Sequence, residues 1–416
     1  MLSLVMPAAA DIIYSGLLDS AIPTDFTGMT VTVGDGTLNP FFGGVGVANN
    51  NFLQPGRVGT GNLDAIVNFG TGTTINSGMT LDAALGYGGS STHVGNGALQ
   101  FAPGSEGYIG FKLDGANYGW MRVVFTNNSG GAVVKDWAYD NSGAALVTGN
   151  VLQSAVSGGA QTVTLTSASG SFTLGTAITD ALGNGGGVVN SVVKQGAGTT
   201  VLSLTNTYTG ITSINAGKLV LGDAAADTFA TSAVNVAATA TLLGSGTIAG
   251  NVALAAESSA GANNGGTLAP GIGNGTLTVG GSTTLNQGSI FAWDISANGA
   301  SYDKLKTASL VDGGTVGGSV FQIVVADATF TDTFWDTAQS WTNIFTTDGT
   351  AAIANWANIF SSTVSVVNSS LTPITPVDGS FSLTGSTLSW SAVPEPSSAL
   401  AGLLLGAGLL RRRRSA

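Results

Sequence analysis

The sequence predicts an all-β protein: an N-terminal antiparallel β-sandwich, then a β-solenoid, then a β-rich C-terminal cap, with one short hydrophobic helix at the end. Three observations carry this. Glycine supplies 63 of 416 residues, charged groups only 8%, and hydrophobic residues 43%, which is too apolar for a disordered chain and suits short strands joined by tight turns. From Asp11 to about Val151, apolar and polar residues alternate in short runs closed by Gly, Asn or Asp, the period of a half-buried strand. Beyond about Gly186, shorter strand-like pieces recur at loose spacings of roughly 10 to 25 residues, with no helical period.

In order along the chain, the divisions fall at 1–10, 11–151, 152–300, 301–391 and 392–416. Leu2 to Met6 is mostly apolar, and Ala8-Ala9-Ala10 before Asp11 has the small residues of a cleavage site. No positive charge precedes it and the apolar run is short, so residues 1–10 are expected to be the remnant of a longer signal peptide. In the sandwich, Thr30-Val31-Thr32-Val33 runs into a Gly34-Asp35-Gly36 turn, and Ala65 to Phe69 reads as a strand. Gly107 to Leu113 and Tyr118 to Phe125 form a hairpin around Asp114-Gly115-Ala116-Asn117, with Asp-Gly as turn signal. Lys135 to Tyr139 begins another strand.

Ser154 to Gly187 is rich in Ser, Thr and Gly and reads as weak early coils, the alternative being a linker. Thr200 to Leu204, Lys218 to Leu221, Ala240 to Leu243, Gly266 to Leu268 and Gly275 to Val279 are the solenoid strands. No coil buries its apolar face alone, so coils must stack. Leu202, Leu204, Leu219 and Leu221 are expected in the interior, because alternate residues of a strand share a face. Asn206, Asn215, Asn235 and Asn251 are candidates for turns, where Asn tolerates left-handed backbone. Asp303 to Lys306, Ser319 to Val325 and Thr363 to Val367 continue as strands, with Trp335, Trp341 and Trp356 around a helix or loop that would cover the solenoid end.

Constellations for chemistry are few. There is no cysteine and one histidine, His93, in a Gly/Ser-rich loop, so thiolate chemistry is excluded and a zinc or iron site is not expected. Glutamates number three: Glu106, Glu257 and Glu395. Asp223 with Asp227 reads as a solvated turn; the sharper alternative is a carboxylate pair facing one groove, as glycosidases need. Lys194 and Lys218 sit at turn edges, and no base activates the abundant Ser and Thr. No calcium-loop pattern appears. No catalytic residue, cofactor or metal is therefore expected. Tyr118 with Trp120, and Trp137 with Tyr139, either pack inside the sandwich or form a platform for sugar rings. Lys and Arg total 12 against 23 Asp and Glu, which disfavours nucleic acid as a partner.

The C-terminus has three parts. Val393-Pro394-Glu395-Pro396 is a stiff extended element that lacks two backbone donors. Ala399 to Leu410 is apolar, and as a helix spans about 18 Å, short of a ~30 Å hydrocarbon core. Arg411, Arg412, Arg413 and Arg414 would then hold its end at a cytoplasmic face.

That order resembles the PEP-CTERM sorting signal of Gram-negative bacteria that make extracellular polysaccharide. The resemblance implies export, a transient inner-membrane tether, recognition by an exosortase and cleavage near Pro-Glu-Pro. The runs Gly107 to Phe111 and Tyr118 to Val123 are similar to N-terminal regions of other such proteins, which have no assigned chemistry. Lys194 to Gly210 with Ile214 to Leu219 resembles the autotransporter-associated β-strand repeat, implying right-handed β-helix coils, and Gly266 to Gly271 with Gly275 to Val279 resembles the end of such passengers. There is no long C-terminal array of barrel strands, so self-translocation is not expected. The reading that results is a non-catalytic structural or adhesive protein of the cell surface or extracellular matrix. A carbohydrate-binding protein that takes exopolysaccharide is the alternative, and a β-helix polysaccharide-cleaving enzyme fits less well.

Overall fold

The computed structural model describes residues 11–50, 52–59, 64–81, 88–91, 94–155, 159–183, 188–314, 317–326, 330, 332–347, 352–361, 364–376 and 378–393. The expected C-terminal helix lies outside them. Among the described residues all regular structure is strand, apart from three short 3-10 turns. The chain divides between Asn235 and Val236 into two compact units, described in turn.

In the first unit, an antiparallel sheet takes the strands Leu53–Pro55, Glu106–Leu113, Asn117–Val124, Val133–Asp140 and Asp11–Tyr14 in that order. The hairpin forms where Asp-Gly marks it. Leu113 pairs with Asn117, and the turn puts Asp114 at φ 51 and Gly115 at φ 69, the left-handed pair that a primed turn requires. A second antiparallel sheet joins Val31–Val33, Gly36–Phe41, Gly46–Asn49 and Gly88–Ser91. Val31, Val33, Leu38 and Val47 from it share one core with Ile109, Phe111, Leu113, Met121 and Val123. Ala65 to Phe69 does not form the expected strand: only Ile66 and Phe69 make isolated bridges. The Asn68 carboxamide takes the Tyr108 N–H at 2.8 Å, replacing a ladder bond with a side chain.

Parallel pairing begins at the same N-terminal strand. Ile12 pairs antiparallel with Asp140 on one edge and parallel with Leu174 on the other. Ser171–Leu174, Thr199–Leu202 and Lys218–Leu221 then stack in parallel, Thr200 opposite Phe172 and Leu219. Gln161–Thr166, Asn190–Gln195 and Ile211–Ile214 form a second column, with Val192 opposite Val163 and Thr212. Gly196-Ala197-Gly198 and Asn215-Ala216-Gly217 turn the chain from one column to the other, with Gly196 at φ 75 and Gly217 at φ 67. A Cβ on Gly217 would run into the Gly196 carbonyl of the coil before it, so the stacked corners demand glycine there.

Leu202, Leu219 and Leu221 are buried as expected, but Leu204 is 40% exposed. The strand ends at Leu202, so Leu204 lies beyond the regular alternation. Val201 and Val220 are buried too; strands covered on both faces read as continuous apolar runs. None of the four asparagines expected at turns has a left-handed backbone. Asn215 opens the corner at 215–217, whereas Asn235 and Asn251 sit within strands and Asn206 is buried; the left-handed corner positions go to glycines.

The second unit repeats the two-column plan. Thr241–Gly244, Thr267–Pro270, Ile290–Ile295, Val320–Val325 and Ser365–Asn368 stack in parallel. Asn251–Leu254, Thr276–Leu285, Lys304–Asp312 and Phe345–Thr346 form the other column. Its last strands meet short returns rather than open edges: Val367 bridges Pro373 and Thr346 bridges Ala352. A three-stranded antiparallel sheet of Gln339–Trp341, Thr387–Ala392 and Gly379–Thr384 follows. Trp335 and Trp356 occupy 3-10 turns and Trp341 a strand. All three are buried with Trp390, whose Nε1 donates to the Trp335 carbonyl at 2.8 Å. The short returns at Pro373 and Ala352 bridge the last strands of the two columns.

Two leucines separate interior from surface. Leu219→Asp should lower the unfolding free energy by about 3 kcal/mol or more, because a carboxylate enters an apolar interior. Leu204→Asp should change it by less than about 0.5 kcal/mol. Urea denaturation followed by tryptophan fluorescence reads both, and equal losses would overturn the assigned register.

Candidate functional site

One cluster of charged groups in the first unit lies at the junction of its strand systems. Arg122 donates Nε to Asp136 Oδ1 at 2.8 Å and one terminal nitrogen to Oδ2 at 2.6 Å, with a further bond to the Gln153 carbonyl at 3.0 Å. Tyr14 donates its hydroxyl to Asp136 at 2.7 Å. Burial disfavours the guanidinium, but Asp136 outweighs it and holds Arg122 above its usual range. Tyr14 is pushed well up, by burial first and then by Asp136. Glu106 reaches Arg122 from the more exposed side at 3.4 Å. Gln153 extends the network to the Leu17 N–H at 2.8 Å, to the Gln161 carboxamide and to Asn190 at 3.1 Å. Both Arg122 and Asp136 are buried, so the cluster joins strands and presents no open face to a substrate.

Lys194 is the last but one residue of its strand, beside the Gly196 corner. It is buried in the coil, in phase with Val192 on the same strand, a phase readable from the alternation itself. Its ammonium donates to the carbonyls of Gln195, Gly196 and Ala216 at 2.7, 2.8 and 3.1 Å, closing two successive corners. Burial pushes its pKa down to about 8. Asp223 and Asp227 lie in an exposed turn. Burial first, and then the Asp227 carboxyl, raises Asp223, and the Asp227 carboxylate accepts the Ala224 N–H at 3.1 Å.

In the second unit, Asp294 and Asp303 are both buried. Asp303 accepts from the Gly275 and Asp294 N–H groups at 2.9 and 3.1 Å, and burial, then Asp294, raise it well above the usual carboxylate range. Among the described residues no three His, Asp or Glu side chains gather as a metal site would need. No helix among them is long and apolar enough to cross a membrane. His93 lies outside the described residues. Of the C-terminal sorting residues only Val393 is described, 61% exposed, with its N–H on the Asp378 carbonyl at 2.7 Å; Pro394, Glu395, Pro396 and Arg411 to Arg414 lie outside.

The aromatic quartet divides. Tyr118 and Trp120 are buried, Trp120 donating to Asn150 at 3.2 Å. Trp137 and Tyr139 are half-buried and stacked, centroids 6.0 Å apart at 24°. The division follows from register: Trp120 pairs with Ala138 and Met121 with Trp137, so the two aromatic pairs lie on opposite faces of the sheet, and a bulge beyond them leaves Lys135 unpaired in that ladder. Beside Trp137 lies an open cleft of about 300 Å³, lined by Leu18, Met29 and Val31 with the hydroxyls of Ser15, Ser20, Thr30 and Thr32. These residues come from separate strands and loops, so nothing in the sequence marked them as neighbours.

Two substitutions test the charged interior. Asp136→Asn leaves a buried guanidinium without its counter-charge and should cost about 3–5 kcal/mol; a loss below about 1 kcal/mol would show the junction is dispensable. For Lys194, the folded pKa of about 8 lies below the ordinary 10.5. Between those values the unfolded chain holds a proton that the folded chain has released, so stability should rise as pH climbs from about 8 towards 10.5. Lys194→Met should flatten that slope in denaturation curves.

Within this architecture, residues 192–221 match the passenger-associated-transport-repeat family. No curated protein matches the chain significantly. The matched segment starts within the strand that carries Lys194 and ends with Leu221, so it contains both glycine corners and the coil between them.

Proposed function

We propose that this protein is exported and acts at the cell surface or in the extracellular matrix as a non-catalytic structural or adhesive component. The observation that carries the reading is the match of one complete coil, residues 192–221, to a passenger-associated repeat. Such a repeat is consistent with an exported surface protein. Parallel columns on either side of the coil's strands favour a right-handed β-helix. The two antiparallel sheets that share a core favour the sandwich, and the aromatic-rich terminal region favours a cap. Nearly all the buried charge described above is spent on bonds within the fold, which suits a load-bearing scaffold better than a catalyst.

The C-terminal signal supplies the route. The chain crosses the inner membrane, pauses on Ala399 to Leu410 with Arg411 to Arg414 inside, and an exosortase cuts near Val393-Pro394-Glu395-Pro396. The arginines resist translocation at about 2.5 kcal/mol or more each, and the stiff Pro-Glu-Pro element stands at the outer interface. A second reading, binding of a matrix glycan, is favoured by the half-exposed Trp137–Tyr139 stack.

Processing is read by mass spectrometry of native protein. Most surface molecules should lack the peptide ending in Ser415-Ala416; its retention would overturn sorting in favour of a plain anchor. Replacing Pro394-Glu395-Pro396 with alanines should accumulate tethered precursor, whereas Arg411 to Arg414 changed to Ser should release or misorient unprocessed chain.

A further inference from the structure

The cleft at Trp137 exists because two strands part there. The pairing of Asp11–Tyr14 with Val133–Asp140 runs as far as Tyr14 opposite Ala138. Ser15 then bridges with its side chain, accepting the Trp137 N–H at 2.9 Å and donating to the Gly16 carbonyl at 2.8 Å. The backbone swings away at Gly16 and Leu17, returns with the Leu18 N–H on the Lys135 carbonyl at 2.6 Å, and pairs again only at Ser20 with Val134. At the gap Trp137 stays half-buried, with Leu18, Met29 and Val31 as apolar lining beside it.

The rim is polar but uncharged. Thr32 is exposed and its hydroxyl makes no bond among the described residues. Thr30 accepts from the Asn39 carboxamide at 2.6 Å, which leaves its O–H free to donate. The Trp137 Nε1–H likewise donates to no group among the described residues. The nearest charges, Lys135 and Asp19, neutralise each other at 2.7 Å, and the whole chain carries −11, which repels an anionic polymer. An aromatic face over an apolar floor, ringed by hydroxyls and an indole N–H, matches a pyranose ring. Such a ring has one face of C–H groups and an edge of hydroxyls that donate and accept. The volume of about 300 Å³ is at the small end for ligand clefts.

We propose that this cleft binds one ring of a neutral polysaccharide, the sugar's C–H face on Trp137 and its hydroxyls on Thr30, Thr32 and the indole N–H. Tyr139, stacked on Trp137, extends the platform to a neighbouring ring. The inference rests on the glycan reading of the matrix role and names its site and ligand class.

The test titrates the full-length protein with cellohexaose and laminarihexaose as neutral probes, and with hexagalacturonate as an anionic one, by calorimetry and tryptophan fluorescence. At least one neutral hexamer should bind. Trp137→Ala should weaken it at least tenfold, Trp137→Tyr should retain most of the affinity, and Thr32→Val should weaken it severalfold. Thr32 is exposed, so that variant keeps the site testable if Trp137→Ala fails to fold. Absence of binding by both neutral hexamers, affinity unchanged in Thr32→Val and Trp137→Ala, or preference for hexagalacturonate would each overturn the proposal. Cell fractionation reads surface location separately, so a failed titration leaves the structural role standing, and a failed localisation leaves the cleft to the titration.

Discussion

The first unit depends on the ion pair between Arg122 and Asp136, with Tyr14 as its third member. A parallel coil cannot bury its apolar face alone, and its first strand needs a template. Asp11–Tyr14 is that template, antiparallel to one sheet and parallel to the coils. The Tyr14 hydroxyl on Asp136, and the Arg122 guanidinium between Asp136 and the Gln153 carbonyl, fix this strand against both systems. A buried charge pair is not in itself a large source of stability. Its value here is directional: bidentate geometry admits one register, where apolar contacts would admit several.

Beyond the junction, the interior is organised by polar groups bonded to one another or to backbone. Tyr208 shares a 2.7 Å bond with Thr212, which reaches Thr231 at 3.2 Å, and Thr231 returns to the Gly210 carbonyl at 2.7 Å. Asn206 accepts the Ile178 N–H at 2.7 Å. Such ladders satisfy corners that regular strand pairing leaves open. Lys194 does the same with an ammonium and three carbonyls. This accounts for a chain with few charges and many hydroxyls and amides: coils of short strands have many corners, and each corner needs its own donor or acceptor.

Strand type and hairpins were legible because they are local. Asp114-Gly115 requires left-handed backbone, and the Leu219 to Leu221 run is continuously apolar, so both declared themselves. The columns containing Asn190–Gln195 and Ile211–Ile214 in the first unit, and Asn251–Leu254 in the second, were largely hidden. These strands carry two or three inward residues each among Asn, Ser and Thr, and Asn251 resembles turn material until its carboxamide is seen accepting the Ser282 N–H at 2.8 Å. Ala65 to Phe69 erred the other way: an alternating pattern promised a strand, and a side-chain bond took its place. The junction and the cleft were not legible at all. Arg122, Asp136 and Tyr14 lie on three strands, and the Trp137 cleft depends on a bulge and a strand separation that no short pattern encodes.

The position of the first strand has a kinetic consequence. Asp11–Tyr14 finds its antiparallel partner at Ala138 to Asp140 and its parallel partner at Thr173 and Leu174, so it has no ladder until a long stretch of chain has been made. Pairing over such sequence distances is slow, because loop closure must be completed before contacts compensate for it. The local hairpins of Val31–Phe41 and Glu106–Val124 need no such wait. The strand that joins the two sheet systems is thus the last to be locked in place, once residues near 174 have joined the residues near 12.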